Sequence, residues 1–574
     1  MRHAVDPRQE ALFDRAEQMF SSAALKRMRE DWPGLFRQQI LQLMPVEKIG
    51  QQFHPRLGCP TKELYSMAGA IFLKEFQNLT IEETVERYLL DARWHYALNI
   101  VPTTVSMSHA TVERYMKLFA DHDIATVVFE NVTSALVAAL ELDVSRQRLD
   151  STHVFSDMAT FGRTKLMGVA IKRFLTQLKR HRRPLYDALP EAFRQRYAAA
   201  QSKLFADMKG GRKQRRQAVA EDVLFVVNRF AEDEQVAARR SYRALCRILQ
   251  EQCTVSEDKT EVEVRTRTGG AVMQNPSDPD ATYDGHKGPG YQAQIAETCS
   301  QNNDAQLITG VEVEPAHASD QDAAGAMLEQ LEQHDRKPEV LYADGGYGRD
   351  ENVVQAAERG VDLQSPVGGP APQNAGQLTV DDFVIAEATE MVERCPNGCE
   401  PVSSRQDAAT GVTETVMPAS ACGGCAFRSQ CPVKRVHGRY VLRHTAAQRR
   451  LAERRAEQAT EAFRENYRIR SGGESVHSGL KRRTGMGRVR TRGQPRVKMA
   501  VMLRCAGWNV LRALAALKQR GIRDFAAFVG GLLRHLSGSA GHRGLVSSLK
   551  VFWRTFLVRL TPHPSTAPTR GKAF

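Results

Sequence analysis

The chain has 574 residues, with 80 Lys/Arg against 66 Asp/Glu for a net charge of +14, 42% apolar and 25% charged, the balance of a folded protein of several domains and not of a disordered or fibrous one. No uninterrupted apolar run reaches about 18 residues, and the opening MRHAVDPRQEALFD carries acids where a signal peptide would be apolar, so neither membrane spanning nor secretion is expected and the cytoplasm is the expected compartment. The charge is uneven: Ser475 to Phe574 carries +19, Arg163 to Arg216 carries +13, and the rest of the chain carries −18, an asymmetry that points to a polyanion partner, nucleic acid first.

Residues 1–142 read as helical. Thr80-x-x-Glu83 is a capping box opening IEETVERYLLDARW, and Val112, Tyr115, Met116 and Phe119 recur at helical spacing. A further helix is expected from Ile124 to Leu142. After Asp143 the β-branched texture of VSRQRLDSTHVF predicts a strand. A long charged helical stretch follows, from Ile171 to about Glu251, within a basic segment spanning 163–270. Strands return at Tyr291–Ile295, in AQLITGVEVE and in VLYADGGYG, with helices expected over Gln321–His334 and Glu351–Arg359 and a last strand in VDLQSPV. The order is mixed α/β with two interruptions, the basic helical one and a cysteine-bearing one over 371–445. Thr445 to Lys481 reads as one long charged helix, Val501 to Leu517 as a helix packed on the core, and 531–574 as a basic tail whose segment LVSSLKVFWRTFLVRL is amphipathic.

Five of the ten cysteines fall between Cys395 and Cys431, as Cys395-x3-Cys399 and Cys422-x2-Cys425-x5-Cys431. A CxxC turn with two remote thiolates is how a tetrahedral Zn²⁺ site is assembled, and Cys395, Cys422, Cys425 and Cys431 are the favoured set, with Cys399 as the substitute. The other reading is a group of free surface thiols.

Asp344 ends a buried strand at Gly345-Gly346, the usual place for a site in an α/β sheet. Asp150 lies inside the strand RLDSTHVF, where a carboxylate needs a metal, a cation or a helix terminus. Tyr467, Arg470, Glu474 and Lys481 follow Y-x2-R-x3-E-x6-K, offsets that put all four on one face of a continuous α-helix. Gly472-Gly473 is a place where that helix can bend or begin again. Lys481, Arg482, Arg488, Arg490 and Arg492 then form a phosphate-tracking stretch, and His286 and Lys287 sit in the loop before the Tyr291 strand, within reach of the same region.

These motifs together, RLDSTHV, NPSDPDATYDGHKGPGYQAQIAETCS, YADGGYG, the Y-R-E-K series and the N-terminal PTKELYSMAGAIFLKEFQNLTIEETVERYLLD, resemble bacterial insertion-sequence transposases of the DDE type, most closely the insertion sequence eleven-eighty-two group. The resemblance implies a ribonuclease H-like catalytic core built from 143–162, 271–370 and 446–530. It implies Asp150, Asp344 and Glu474 as a catalytic triad holding two Mg²⁺ ions, or Mn²⁺ in their place, and an N-terminal helical domain associated with DNA. The implied partners are double-stranded DNA, as transposon ends and target, and a second copy of the chain on paired ends. The implied activity is metal-dependent DNA cleavage and strand transfer at terminal inverted repeats. The alternative is a non-catalytic, zinc-containing DNA-binding regulator derived from such an enzyme. Tyr467, Arg470 and Lys481 are expected to contact the DNA backbone beside Glu474.

Overall fold

The computed structural model describes residues 1–525 apart from 8–17, 104, 199–203, 206–207, 369–375, 387–388, 390 and 524. The basic tail over 531–574, with its amphipathic segment, lies outside the described residues.

The N-terminal region is helical, with α1 (Leu64–Phe76), α2 (Ile81–Leu90), α3 (His109–Asp121) and α4 (Ile124–Ala139) its main elements. The capping box forms as expected: Thr80 Oγ1 accepts from the Glu83 N–H at 3.1 Å, and Glu83 Oε2 accepts from the Thr80 N–H at 2.7 Å, which satisfies two donors that the first turn leaves open. Val112, Tyr115, Met116 and Phe119 are all buried on the inner face of α3.

A six-stranded sheet follows, built on β1 (Arg146–Val154), β2 (Gly288–Thr298), β3 (Ile308–Pro315), β4 (Val340–Ala343) and β5 (Asp362–Gln364). The spatial order is β3-β2-β1-β4-β5, with the short strand Thr282–Asp284 pairing the start of β2. Only β2 runs against β1 among these five; β4 and β5 are parallel to β1, and β3 is antiparallel to β2. Between β1 and β2 the chain leaves the sheet for a helical unit. Its long helices are α5 (Arg163–His181), α6 (Arg212–Arg229) and α7 (Arg240–Gln252), and they close a core of their own that includes Phe174, Leu178, Val219, Val223, Leu245 and Ile248. The helical stretch thus begins eight residues earlier than the pattern suggested and is several helices. Helices α8 (Asp320–Gln333) and α9 (Asp350–Glu358) flank β4, and Leu328 and Leu331 bury against Leu149, Leu341 and Ala343.

The cysteine-bearing segment is β-rich. Strands β6 (Ser403–Gln406), β7 (Val412–Met417), β8 (Lys434–Val436) and β9 (Arg439–Thr445) form a sheet in the order β6-β7-β9-β8. Among the described residues its buried apolar core comprises Phe383, Val392, Met417, Val433 and Leu442.

The single helix expected from Thr445 to Lys481 is replaced by four elements: α10 (Ala446–Gln458), α11 (Glu461–Tyr467), a 3₁₀ turn (Arg468–Ser471) and α12 (Gly472–Thr484). Two local causes are visible. Thr460 caps a new helix by accepting from the Phe463 N–H at 3.3 Å. Gly472 lies so close to Arg148 that a Cβ there would stand 2.1 Å from its Nη1. Tyr467, Arg470 and Glu474 therefore sit on three successive elements and not on one helical stripe.

The last element, α13 (Gln494–Gln519), packs on α1, α3, α4 and β3. Among the described residues it is the helix long and apolar enough to cross a membrane, yet 78% of its most apolar window is buried inside the protein, which makes it the core helix that the 501–517 pattern suggested. Two buried ionic contacts tie the helical region to the rest: Arg504 with Glu75 at 3.2 Å, and Arg336 with Glu130.

Candidate active site

The register of β1 against β4 builds the site. Leu149 is the last residue of β1 paired with β4, opposite Ala343. The next residues are Asp150 and Asp344, so the two carboxylates leave neighbouring parallel strands side by side, at a strand spacing of about 4.8 Å. Asp344 starts the 3₁₀ turn Gly345–Tyr347, its Oδ1 accepting from the Gly346 N–H at 2.8 Å. Asp150 Oδ1 accepts from the Ser151 N–H at 2.9 Å.

Arg470 faces both acids. Its Nη2 is 3.1 Å from Asp150 Oδ2 and 3.7 Å from Asp344 Oδ2. Burial holds both carboxyl pKa values above the ordinary range; the guanidinium offsets part of the rise at Asp150, and the Gly346 N–H and then the guanidinium offset part of it at Asp344. The 3₁₀ turn that carries Arg470 is held from the sheet: Arg148 donates to the Ile469 carbonyl at 3.0 Å and to Glu297 at 2.8 Å. Burial lifts the Glu297 carboxyl to about 7. The Tyr467 hydroxyl donates to the Ala343 carbonyl at 2.7 Å, so α11 is tied to the end of β4 and that hydroxyl is engaged by protein backbone. Burial raises its pKa to about 12.

Glu474 stands in the first turn of α12 and is exposed. It makes no hydrogen bond or ion pair among the described residues. The side chain of α12 that turns toward the aspartates is His477, one turn later, with Nδ1 4.0 Å from Asp150 Oδ2. Burial, then the nearby charges of Lys481 and Arg470, press the His477 pKa down to about 4, so the imidazole is neutral. Among the described residues no group of three or more His, Cys, Asp or Glu side chains converges as a metal site. The structure thus brings Asp150 and Asp344 together around Arg470 and leaves Glu474 on the adjoining helix with no hydrogen bond or ion pair to either.

Asp320 is the residue that sequence reasoning missed. It opens α8; its Oδ1 accepts from Gln294 Nε2 at 2.9 Å and its Oδ2 from Ser151 Oγ at 3.2 Å. Its charge raises the pKa of both Asp150 and Asp344. In the sequence it is only an acid at the head of a helix, the commonest position for one, and nothing local says that this helix starts beside β1.

Lys287 reaches the same region, its Nζ 3.4 Å from Ser151 Oγ, while the His286 and Lys287 N–H groups both bond Asp284 at 2.7 and 2.6 Å. The His286 side chain is exposed, with no hydrogen bond among the described residues. Lys481 is exposed overall, and partial burial, then the nearby charge of Lys287, lowers its pKa. Arg482 donates to the Ser478 carbonyl at 3.4 Å. The basic stretch then runs beside the end of β1. Arg488 lies over the Phe155 ring at 5.6 Å, Arg490 donates to the Asn78 carbonyl at 3.2 Å, and Arg492 pairs with Asp157 at 2.9 Å.

In the cysteine-bearing segment, Cys395, Cys422, Cys425 and Cys431 line one small cavity. Cys399 is beside Cys395, whose N–H donates to the Cys399 carbonyl at 2.9 Å across a turn at Gly398. Burial and neighbouring thiols raise the Cys422 and Cys431 pKa values. The thiols gather without reaching ligand geometry.

Residues 394–514 match the family model described as a transposase DDE domain, a segment that follows the sheet and its two aspartates in the chain. The match covers the cysteine cluster, Arg470, Glu474 and Lys481, and supports a DDE transposase and with it a nucleic-acid-processing enzyme. No curated protein and no solved structure matches the chain.

Proposed function

We propose that the protein is a DNA transposase of the DDE type, of the insertion sequence eleven-eighty-two group. In this reading it binds the terminal inverted repeats of its element as a dimer on paired ends, in the cytoplasm at the nucleoid, cuts DNA and joins the freed ends to a target. The observation that carries the reading is the Leu149–Ala343 pairing, which makes neighbours of Asp150, in the middle of β1, and Asp344, just past the end of the parallel strand β4. The strand order, with β2 alone reversed, supports a ribonuclease H-like core in which 163–270 and 371–445 are insertions.

Asp150, Asp344 and Glu474 offer hard oxygen donors of the kind that suit Mg²⁺ or Mn²⁺. Such ions, when bound in a pair, activate a water or a 3′-hydroxyl and stabilise the leaving oxygen of an in-line displacement at phosphorus. With Glu474 as third donor, Asp150 and Asp344 would hold the ions. Arg470 neutralises the aspartates while no cation is bound and transfers its guanidinium to a DNA phosphate when one is. Lys287 and Lys481 hold phosphates on either side, His477 stays neutral beside Asp150, and Asp320 adds a further negative charge at the edge of the site. Cys395, Cys422, Cys425 and Cys431 are a soft donor set that suits a structural Zn²⁺, and the small core of that segment leaves stability for a metal to supply.

The test is a labelled duplex carrying the element's end, incubated with Mg²⁺. Wild-type protein is expected to cut and join it, and Asp150→Asn, Asp344→Asn and Glu474→Gln to bind it without cutting. Binding without cleavage by the wild type would assign the chain to the non-catalytic regulator instead.

A further inference from the structure

The helical unit between β1 and β2 contains an open groove of about 1000 Å³ between α5, the head of α7 and the 273–280 segment. Its walls carry Lys172, Arg173, Arg239, Arg240, Arg243 and Arg247 against one lining acid, Asp280. The Asp280 carboxylate already accepts from the Gln494 N–H at 3.1 Å. Arg247 is paired with Glu251 at 2.6 Å, Arg173 donates to Ser277, and Arg243 donates to the Ala238 carbonyl at 2.7 Å. These contacts hold the guanidinium groups in place more than they cancel their charge.

The head of α7 sharpens the imbalance. A helix N-terminus carries roughly half a positive charge and favours acids in its first turn. Here that turn has no acid and no side-chain cap, and Arg239 and Arg240 occupy the cap and the first position. Arg239 Nε and Ser241 Oγ are buried there without a hydrogen-bond partner among the described residues, whereas buried polar atoms are nearly always satisfied. Crowded cations, an uncapped helix start and unsatisfied donors all favour an anion with several oxygens.

The groove also connects to the carboxylate pair. Burial and the charge of Arg492 both press the Arg173 guanidinium pKa down, so the two lie within each other's field. Arg492 pairs with Asp157, which follows Asp150 by seven residues, at most about 25 Å of extended chain. At about 3.4 Å per nucleotide along one strand, at most about seven nucleotides separate Asp157 from Asp150.

We propose that this groove binds the sugar-phosphate backbone of double-stranded DNA on the flank of the carboxylate site. The assignment rests on the DNA-processing reading above and names where the flanking duplex is held. The probe is a fluorescein-labelled 40-base-pair duplex of arbitrary sequence, titrated with the full-length chain over a series of KCl concentrations. Arg240→Gln with Arg243→Gln removes two exposed cations from the groove. A control pair, Lys434→Gln with Arg435→Gln, removes two exposed cations from β8. The groove variant is expected to bind about tenfold more weakly and to lower the slope of log K against log salt by about 2, since each lost phosphate contact is worth about 0.9. The control should stay within about twofold. Unchanged thermal melting shows that the variants fold, and Arg240→Glu, a single reversal, should weaken binding on its own.

Wild-type affinity and slope in the groove variant would overturn the proposal, as would an equal loss in the control pair. Loss of binding to a polyglutamate peptide with duplex binding intact would assign the groove to a protein partner and overturn the DNA assignment. Cleavage is scored separately: if the wild type never cuts DNA but the groove variant still loses duplex binding, the catalytic reading fails and the groove stands.

Discussion

Arg470 and Asp150 form an ion pair at 3.1 Å between the 3₁₀ turn ahead of α12 and the middle of β1. The same guanidinium is 3.7 Å from Asp344, so one side chain stands where a cation shared by both acids would stand. Removing it leaves two half-buried carboxylates facing each other, and a hydrogen bond to a charged group is worth about 1.5–3 kcal/mol. Arg470→Ala is therefore expected to lower the melting temperature without divalent ions and to gain more than wild type when Mg²⁺ or Mn²⁺ is added. Equal stabilisation of both proteins by the ion would show that Arg470 and the cation do not compete.

The seat of α12 depends on Gly479. A Cβ there would stand 2.3 Å from the Trp508 ring on α13, and α13 is held in the core. Gly479→Ala is expected to cost about 1–3 kcal/mol by overpacking and to shift Glu474 and His477 against β1. DNA cleavage should fall while circular dichroism stays native, and Trp508→Phe should restore part of the loss. Full activity in Gly479→Ala would mean that this contact does not set the site.

Glu75 lies between two cations in the core, 2.6 Å from Lys74 and 3.2 Å from Arg504. Losing the acid leaves both cations buried and unpaired, whereas losing Arg504 leaves a neutral pair. Glu75→Ala is thus expected to cost about 3–5 kcal/mol and Arg504→Met clearly less. Urea midpoints give the order, and the reverse order would refute the charge argument.

The cysteine cavity gives a metal prediction. Purified protein is expected to carry one zinc per chain, to lose melting temperature on chelation, and to lose the metal in Cys422→Ser with Cys425→Ser. A metal content near zero in freshly purified wild type would leave these residues as free thiols.

His444 sets a pH dependence in the same segment. It is buried and its Nδ1 accepts from Arg449 at 3.1 Å; burial, then the Arg449 charge, depress its pKa to about 4. The fold holds it neutral while the unfolded chain protonates near 6.5. Its contribution is therefore fully present above pH 6.5 and is lost as pH falls toward 4. The wild-type melting temperature should drop more steeply than that of His444→Gln between pH 7 and pH 5, and parallel profiles would exclude His444 as the cause.

Local chemistry in the sequence was sufficient for elements whose determinants lie within a turn or two. The Thr80–Glu83 capping box, the buried stripe Val112–Phe119 and the strand containing Asp150 all appear where their patterns put them, because capping and periodicity are short-range. The end of the strand before Gly345-Gly346 was legible for the same reason. The helix expected over 445–481 was legible only in its restart at Gly472-Gly473; its first break rests on the Thr460 cap, which the pattern did not single out, and the turn ahead of α12 is held by Arg148, from a strand more than 300 residues earlier. A continuous helical stripe from Tyr467 to Lys481 was lost with it.

What the sequence by itself determined is therefore part of the inventory: the strands of the main sheet and the capped and periodic helices, where the cations concentrate and which acids end or interrupt strands. Only the tertiary structure decided the company those residues keep. The pairing of Leu149 with Ala343 made neighbours of Asp150 and Asp344; the start of α8 brought Asp320 beside them; and the break before α12 left Arg470 inside the site and Glu474 outside it. Strand register and the seat of the turn that carries Arg470 arise from contacts between segments far apart in the chain, and no local propensity encodes them.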